Sequence, residues 1–310
     1  MKKTLYFGNP VYLSLRNGQM VMRLPQVEKN NTLSEGFKKN AERTFPIEDL
    51  GVVILDDKRI TVTQGLLECL AANNCAIITC DSAHHPAGIL LPMEGNTLMG
   101  ERSRYQVECS KPLRKQLWQQ TVQSKIANQA ANLEHLVHVE NRHMLAWVGQ
   151  VRSDDADNLE ARAAAYYWKN IFPEFPGFVR GRFEEPPNNL LNYGYSILRA
   201  VVARSLVATG LLPSIGIHHH NRYNAFSLAD DIMEPYRPLV DVVVRKMITS
   251  YDVIEELSVD MKRDLLSIPT IDVSIGGQMR PLMTAVDQTT TSLCKCFAGE
   301  SKHLIYPAII

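Results

Sequence analysis

The 310-residue chain reads as an α+β protein, a small β-rich N-terminal domain followed by a larger, all-helical one. Three observations point there. Asn17-Gly18 separates two short strand-like runs, residues 51–55 form a continuous apolar run, and from Arg102 onward apolar residues recur at helical spacing. Asn-Gly suits the two-residue type I′ turn, in which both central residues take positive φ, so Tyr12–Arg16 should pair with residues 19–22 as a hairpin. Residues 51–55 (Gly-Val-Val-Ile-Leu) suit a buried strand, with Asp56-Asp57 as the turn after it and residues 59–62 as a further strand. Gln64–Ala72 carries Leu66, Leu67 and Leu70 at helical spacing, and residues 75–79 return to a strand pattern. Residues 30–40 are polar and suit a loop or an irregular strand.

Character changes near Gly95-Asn96. Between Arg102 and about Val139 the residues Leu113, Leu117, Val122, Ile126, Ala130 and Leu133 recur every three to five positions, the signature of a long helix with one apolar face. Further helices are expected over residues 158–170, 188–209, 227–251 and 253–266, and short β-like stretches after Ser267. The expected division is 1–95, 96–290 and a C-terminal tail at 291–310.

Composition excludes several classes. Hydrophobic residues at 45% and charged residues at 21% fit an ordinary globular chain rather than a disordered or fibrous one. Lys2 and Lys3 are followed by no apolar run, and no stretch is long enough to span a bilayer, so a cytoplasmic, membrane-free protein is expected. Lys+Arg and Asp+Glu both total 33. Any nucleic-acid binding must therefore come from segregated patches rather than net charge. The six cysteines form no C-x-x-C pair, and Cys69, Cys75 and Cys80 lie among alanine, leucine and isoleucine, as reduced buried thiols do.

The most unusual stretch is Gly216-Ile217-His218-His219-His220-Asn221, followed by Ser227-Leu228-Ala229-Asp230-Asp231-Ile232-Met233-Glu234. Ser227 and Asp230 have the spacing of a capping box. A helix starting there puts Leu228, Ile232, Tyr236, Leu239 and Val243 on its apolar stripe, with Asp231 beside it and Glu234 one turn on. Two carboxylates stacked at a half-buried edge repel each other, and a bound cation offsets that cost; Mg²⁺ or Mn²⁺ prefers carboxylate oxygen, and Mn²⁺ also accepts imidazole. The plainer alternative is that acidic residues in a first helical turn complement the helix dipole and that the histidines form a polar loop. Glu160, followed by small residues on a helix, is a second candidate with a solvent-exposed alternative. The basic and amide residues of the first long helices (Arg102, Arg104, Gln106, Lys111, Arg114, Lys115, Lys125 and Gln129) are of the kind that positions phosphates without reading sequence.

Taken together these stretches resemble the CRISPR-associated adaptation endonuclease/integrase family (Cas1), in its type II branch. The resemblance rests on Arg102–Gln106 with the segment 118–129, on Asn158-Leu159-Glu160-Ala161 with Tyr167, on Leu190-Leu191-Asn192-Tyr193-Gly194-Tyr195, and on Gly216-Ile217-His218-His219 with 228–238, in that order. It implies an N-terminal β-sandwich-like domain used for dimerisation and an α-helical catalytic domain. It implies a metal site of Glu160, His219 and Glu234 holding Mg²⁺ or Mn²⁺, with Asp231 in support; the histidine three places after the glycine is the one selected. Arg102, Arg104, Lys125, Gln129 and Tyr193 are the expected DNA contacts. Tyr193, Tyr195 and Trp168 have two open readings, stacking on bases at a frayed end or packing in a core.

The activity implied is metal-dependent insertion of spacer DNA, in which a 3′-hydroxyl attacks a phosphodiester at the repeat boundary. The implied partners are double-stranded DNA, a second copy of the chain, and the small adaptation protein Cas2 in a heterohexamer. The type II effector nuclease and a ring-shaped adaptation protein would join them. The competing expectations are a non-catalytic DNA-end-binding scaffold with a structural metal, and a small-substrate hydrolase with zinc on His218–His220.

Overall fold

The structure, a computed structural model, describes residues 2–82, 84–181 and 185–309. Its contacts divide the chain into two units, residues 1–95 and 96–310.

The first unit is built from β1 (Lys3–Phe7), β2 (Tyr12–Arg16), β3 (Gln19–Arg23), α1 (Pro25–Glu28), α2 (Glu35–Asn40), β4 (Arg43–Pro46), β5 (Leu50–Leu55), β6 (Thr61–Val62), α3 (Gln64–Ala72), β7 (Ala76–Cys80) and β8 (Pro86–Leu90). They form two four-stranded sheets, ordered β1-β5-β7-β8 and β4-β3-β2-β6. The predicted hairpin is present: β2 and β3 pair antiparallel from Tyr12 opposite Arg23 to Arg16 opposite Gln19. Asn17 and Gly18 take φ of 51° and 71°, as the type I′ turn demands. In the other sheet β5 runs parallel to both β1 and β7. That central place explains why β5 is apolar at every position rather than alternating.

One core serves both sheets: Leu13 and Met20 from the hairpin sheet meet Phe7, Leu50, Val53 and Ile77 from the other, with Leu66 and Leu70 of α3. The polar stretch read as a loop holds helix α2 instead, started by Ser34, whose hydroxyl accepts from Phe37 N. All six cysteines are reduced, but only Cys75 of the predicted trio is fully buried.

The second unit contains α4 (Met99–Glu108), α5 (Lys111–Val137), α6 (Arg142–Gln150), α7 (Leu159–Asn170), α8 (Asn188–Ala208), α9 (Ser227–Met233), α10 (Arg237–Ser250), α11 (Val259–Leu266), β9 (Asp272–Ile275), β10 (Gln278–Pro281) and α12 (Leu282–Phe297). It is not purely helical, because β9 and β10 form an antiparallel hairpin. Nor does a separate tail begin at residue 291, which falls inside α12. The final segment is laced to α5: Leu304 N donates to Gln120 Oε1, Tyr306 and Thr121 share a hydroxyl contact of 2.8 Å, and Ile309 N donates to Asn128 Oδ1.

Helix α5 begins where Ser110 caps Leu113 N and Pro112 fills the first turn, and it ends at His138 in the left-handed conformation. Of the predicted stripe, Leu117, Val122, Ile126, Ala130 and Leu133 are fully buried, while Leu113 in the first turn is only half-buried. Helix α8 is buried almost along its length. At Gly194 a Cβ would come within 2.6 Å of Val240 Cγ1 on α10, so this glycine lets the two helices close on each other.

The expected single helix over 227–251 is instead broken. Glu234–Tyr236 forms a 3₁₀ turn between α9 and α10. Pro235 and Pro238 supply no N–H and cannot continue the α-helical ladder. Two amides of α5, one turn apart, fasten this stretch: Asn128 Nδ2 donates to Pro235 O at 2.8 Å and Asn132 Nδ2 to Pro238 O at 2.7 Å. The break thus holds Glu234 in a fixed place against α5.

Candidate functional site

The site forms where α5, the start of α7, the 216–221 loop and the 234–236 turn converge. Glu160 lies in the first turn of α7, whose N-terminal amides at Leu159 and Glu160 both donate to the Asp155 carboxylate at 2.9 Å. Asp154, Asp155 and Asn158 all have positive φ, between 49° and 66°. Conformations of this kind are costly for side-chain-bearing residues and persist only where the surroundings demand them.

Lys125 of α5 reaches between the two candidate glutamates. Its Nζ lies 2.6 Å from Glu160 Oε1 and 2.6 Å from Glu234 Oε2. Burial works against its charge, but the two carboxylates outweigh it and hold the lysine pKa above its ordinary value. Glu234 is buried and also pairs with Arg237 Nε at 2.9 Å. Burial would raise its pKa, yet Arg237 and Lys125, with His219 nearby, bring it down to about 2. Arg237 in turn lies over the Tyr195 ring at 4.7 Å. Tyr195 and Tyr167 both donate to the buried Asp241, at 2.5 and 2.9 Å. Burial lifts Asp241 to about 6 against the opposing effect of those two hydrogen bonds.

The histidine run sorts itself by partner. His218 stacks on Trp118, with centroids 4.2 Å apart and planes 5° from parallel. His219 places Nδ1 2.5 Å from Asp231 Oδ1, and His220 is exposed. Asp231 is wholly buried and collects three backbone N–H groups from the loop, those of Ile217 (2.7 Å), His218 (2.9 Å) and His219 (3.2 Å). Asp231 therefore builds the loop and orients the ring, leaving Nε2 of His219 free for other work. The hydrogen bond to Asp231 raises the His219 pKa against the effect of partial burial. Asp230 faces elsewhere, accepting from Arg199 Nε and Asn224 Nδ2 at 2.7 Å each. The expected capping box is absent: Ser227 lies inside the helix and donates to Asn224 O.

Other expected DNA contacts fall differently. Tyr193 is fully buried, Gln129 is 2% exposed, and Lys125 is engaged by the two carboxylates. Tyr193 and Gln129 present no side chain to the surface, and Lys125 keeps only 12% of its own exposed. Arg104 is exposed, whereas Arg102 donates to Thr209 O at 3.0 Å. Trp168 packs against Tyr167, Phe172 and Phe178 rather than standing free. Among the described residues no three His, Cys, Asp or Glu side chains close into a ligand shell, the three consecutive histidines included. No described helix is long and apolar enough to cross a membrane.

Fold and site define a two-unit α+β protein whose helical unit carries a lysine-bridged acidic pair beside an aspartate-anchored histidine. The family model described as CRISPR associated protein Cas1 matches residues 26–260, and the chain belongs to that family. It is 35% identical over 258 residues to the CRISPR-associated endonuclease Cas1 of Neisseria meningitidis serogroup C, covering 83% of this chain and 84% of that one. Among solved structures it is similar to a casposase bound to integration product, with a TM-score of 0.78, 20% identity, and coverage of 98% of this chain and 92% of the other. It is also similar to a chain of a Cas6-RT-Cas1–Cas2 complex, with a TM-score of 0.71, 18% identity, and coverage of 97% of this chain and 35% of that longer one.

Proposed function

We propose that this chain is a metal-dependent DNA endonuclease and integrase of CRISPR adaptation, joining the 3′-hydroxyl of a spacer fragment to a phosphodiester at the repeat boundary. The observation that carries this reading is the Glu160–Lys125–Glu234 bridge beside the Asp231-anchored His219. Two carboxylates facing one positive charge, with an imidazole nitrogen left free nearby, are a donor set that suits Mg²⁺ or Mn²⁺. Glu160, Glu234 and Nε2 of His219 would hold the ion, which supplies Lewis-acid polarisation of the phosphodiester and of the attacking hydroxyl. Asp231 fixes the His219 ring and its tautomer, and Arg237 keeps a counter-charge on the second oxygen of Glu234. The names of the similar proteins, an endonuclease and a casposase bound to integration product, support the reaction class.

Integration joins two strands, so the working unit needs two active sites. The reading therefore includes a homodimer, paired through the N-terminal unit and bridged by Cas2 into a heterohexamer, with double-stranded DNA across it. The Cas1–Cas2 complex among the similar structures supports that partner. The type II effector nuclease and ring-shaped adaptation protein remain further proposed partners.

The test is strand transfer of a labelled duplex with 3′-hydroxyl ends into a supercoiled plasmid carrying a leader and repeat, with Cas2 and Mg²⁺ or Mn²⁺. Product that disappears on adding EDTA supports the proposal. DNA binding without product under any metal would replace it with the scaffold reading.

Gly216→Ala offers a geometric check in the same assay. A Cβ there would lie 2.4 Å from the His219 carbonyl oxygen and 2.7 Å from Asp231 Oδ2, so the loop must move. A misplacement of about 1 Å costs roughly 100-fold in rate, and transfer is expected to fall by that order. Native-level transfer in this variant would show that the loop position is irrelevant to the chemistry.

A further inference from the structure

Lys125 stands where the proposed divalent ion would have to stand. Its ammonium is 2.6 Å from an oxygen of each glutamate. Mg²⁺ needs those oxygens at about 2.0–2.1 Å, so ion and ammonium cannot share the gap. Among the described residues the ammonium has no hydrogen-bond or ion-pair partner besides the two carboxylates. Arg237 is held differently, paired to Glu234 at 2.9 Å and laid over Tyr195 at 4.7 Å, and it stays as a permanent counter-charge.

The geometry points to Lys125 as a built-in counter-ion that holds the cation position in the metal-free chain and swings toward Gln129 when a divalent ion enters. The inference rests on the metal-dependent reading above and deepens it by assigning what fills the site before the metal does.

Two observations give the lysine somewhere to go. A cavity of about 220 Å³ adjoins the bridge, and Gln129 and the acidic Glu234 and Asp241 line it with Lys125, beside the guanidinium groups of Arg180 and Arg237. One turn along α5, the amide oxygen of Gln129 is buried and accepts no hydrogen bond. A buried acceptor left unpaired is costly, and an ammonium on a flexible four-carbon stem can satisfy it. The exchange also has an electrostatic reason. Removing the ammonium from between the buried Glu234 and the partly exposed Glu160 leaves their repulsion offset by Arg237 alone, which pairs with Glu234 only. A lysine that fills the gap keeps the metal-free chain folded around a preformed site, and metal entry replaces one positive charge with a stronger one.

The exchange is tested by Mn²⁺ titration of the full chain without DNA, read by the electron paramagnetic resonance of free Mn²⁺ and by thermal melting. Lys125→Met, which keeps the stem and removes the charge, is expected to bind Mn²⁺ at least tenfold more tightly than the native chain. That factor corresponds to about 1.4 kcal/mol. The same variant should melt lower without metal and regain the difference with Mn²⁺, whereas a merely structural lysine would leave a loss that metal does not restore. An affinity equal to or weaker than native overturns the proposal. Glu160→Gln separates the two layers: if it leaves native Mn²⁺ binding intact, the cation reading itself fails and the exchange with it. If it abolishes binding while Lys125→Met changes nothing, only the exchange fails. Should Lys125→Met not fold, a crystal structure of the native chain with Mn²⁺ decides. An ammonium moved to Gln129 supports the exchange, and one still between the carboxylates overturns it.

Discussion

Glu160→Gln is expected to reduce strand transfer at least about a thousandfold, the scale on which removing a member of a catalytic unit acts, while shifting the melting temperature by no more than about 2 °C. The small stability effect follows from position. Glu160 sits at the start of α7, its side chain is 24% exposed, and its partner Lys125 keeps Glu234. The substitution preserves shape and removes one charge from the bridge. Transfer assays and melting curves on the same preparation check it, and near-native transfer would remove Glu160 from the chemistry.

The other glutamate behaves differently, and an alanine scan alone would mislead. Glu234 is buried and holds both Lys125 and Arg237. Truncating one member of such a pair costs about 3–5 kcal/mol because it strands the other charge. Its carboxyl titrates near 2 against an ordinary 4.5. The stability it contributes is therefore fully present above about pH 4.5 and is lost as pH falls toward 2. Activity lost in Glu234→Ala thus mixes chemistry with folding, which makes Glu160→Gln the cleaner probe.

Asp231→Ala is expected to cost about 3–5 kcal/mol, lowering the melting temperature by roughly 10 °C, and to abolish transfer. It would leave three backbone N–H groups and the His219 ring without their common acceptor. Asp231→Asn divides these effects. With its carbonyl oxygen toward Ile217 and His218 it keeps two of the three loop hydrogen bonds, but its NH₂ then faces both the His219 amide and His219 Nδ1. The imidazole must accept there and carry its proton on Nε2, the nitrogen proposed to bind the ion. We expect Asp231→Asn to lose about 1–2 kcal/mol and yet as much transfer as the alanine variant. ¹⁵N shifts of the His219 ring would report the tautomer, and an Asn variant with native activity would show that Asp231 only supports the loop.

Much of this molecule is written locally. The Asn17-Gly18 hairpin, the buried strand β5, the apolar stripe of α5 and the helix carrying Glu160 follow from turn chemistry and periodicity, which depend on neighbours in the chain. The motif order placed Glu160, His219, Asp231 and Glu234 as candidates. Residue spacing alone left three histidines open, and the ring that faces Asp231 is decided by where α9 lies against the loop. The break after Met233 had a local signal in Pro235 and Pro238, but its place against α5 depends on Asn128 and Asn132.

What only the tertiary structure decided is the environment of each charge. Lys125, Gln129 and Tyr193 look alike in sequence as polar candidates for DNA, yet one bridges two glutamates and two are buried. Asp230 and Asp231 are adjacent, yet one meets Arg199 and the other meets three backbone amides. Helical spacing states which face a residue occupies, but not what comes to cover that face. The sequence by itself determined most of the elements and the chemical groups, because those depend on contacts a few residues apart. The pairing of the groups rests on helices brought together across more than a hundred positions, as where Lys125 meets Glu234, and no local pattern encodes that distance.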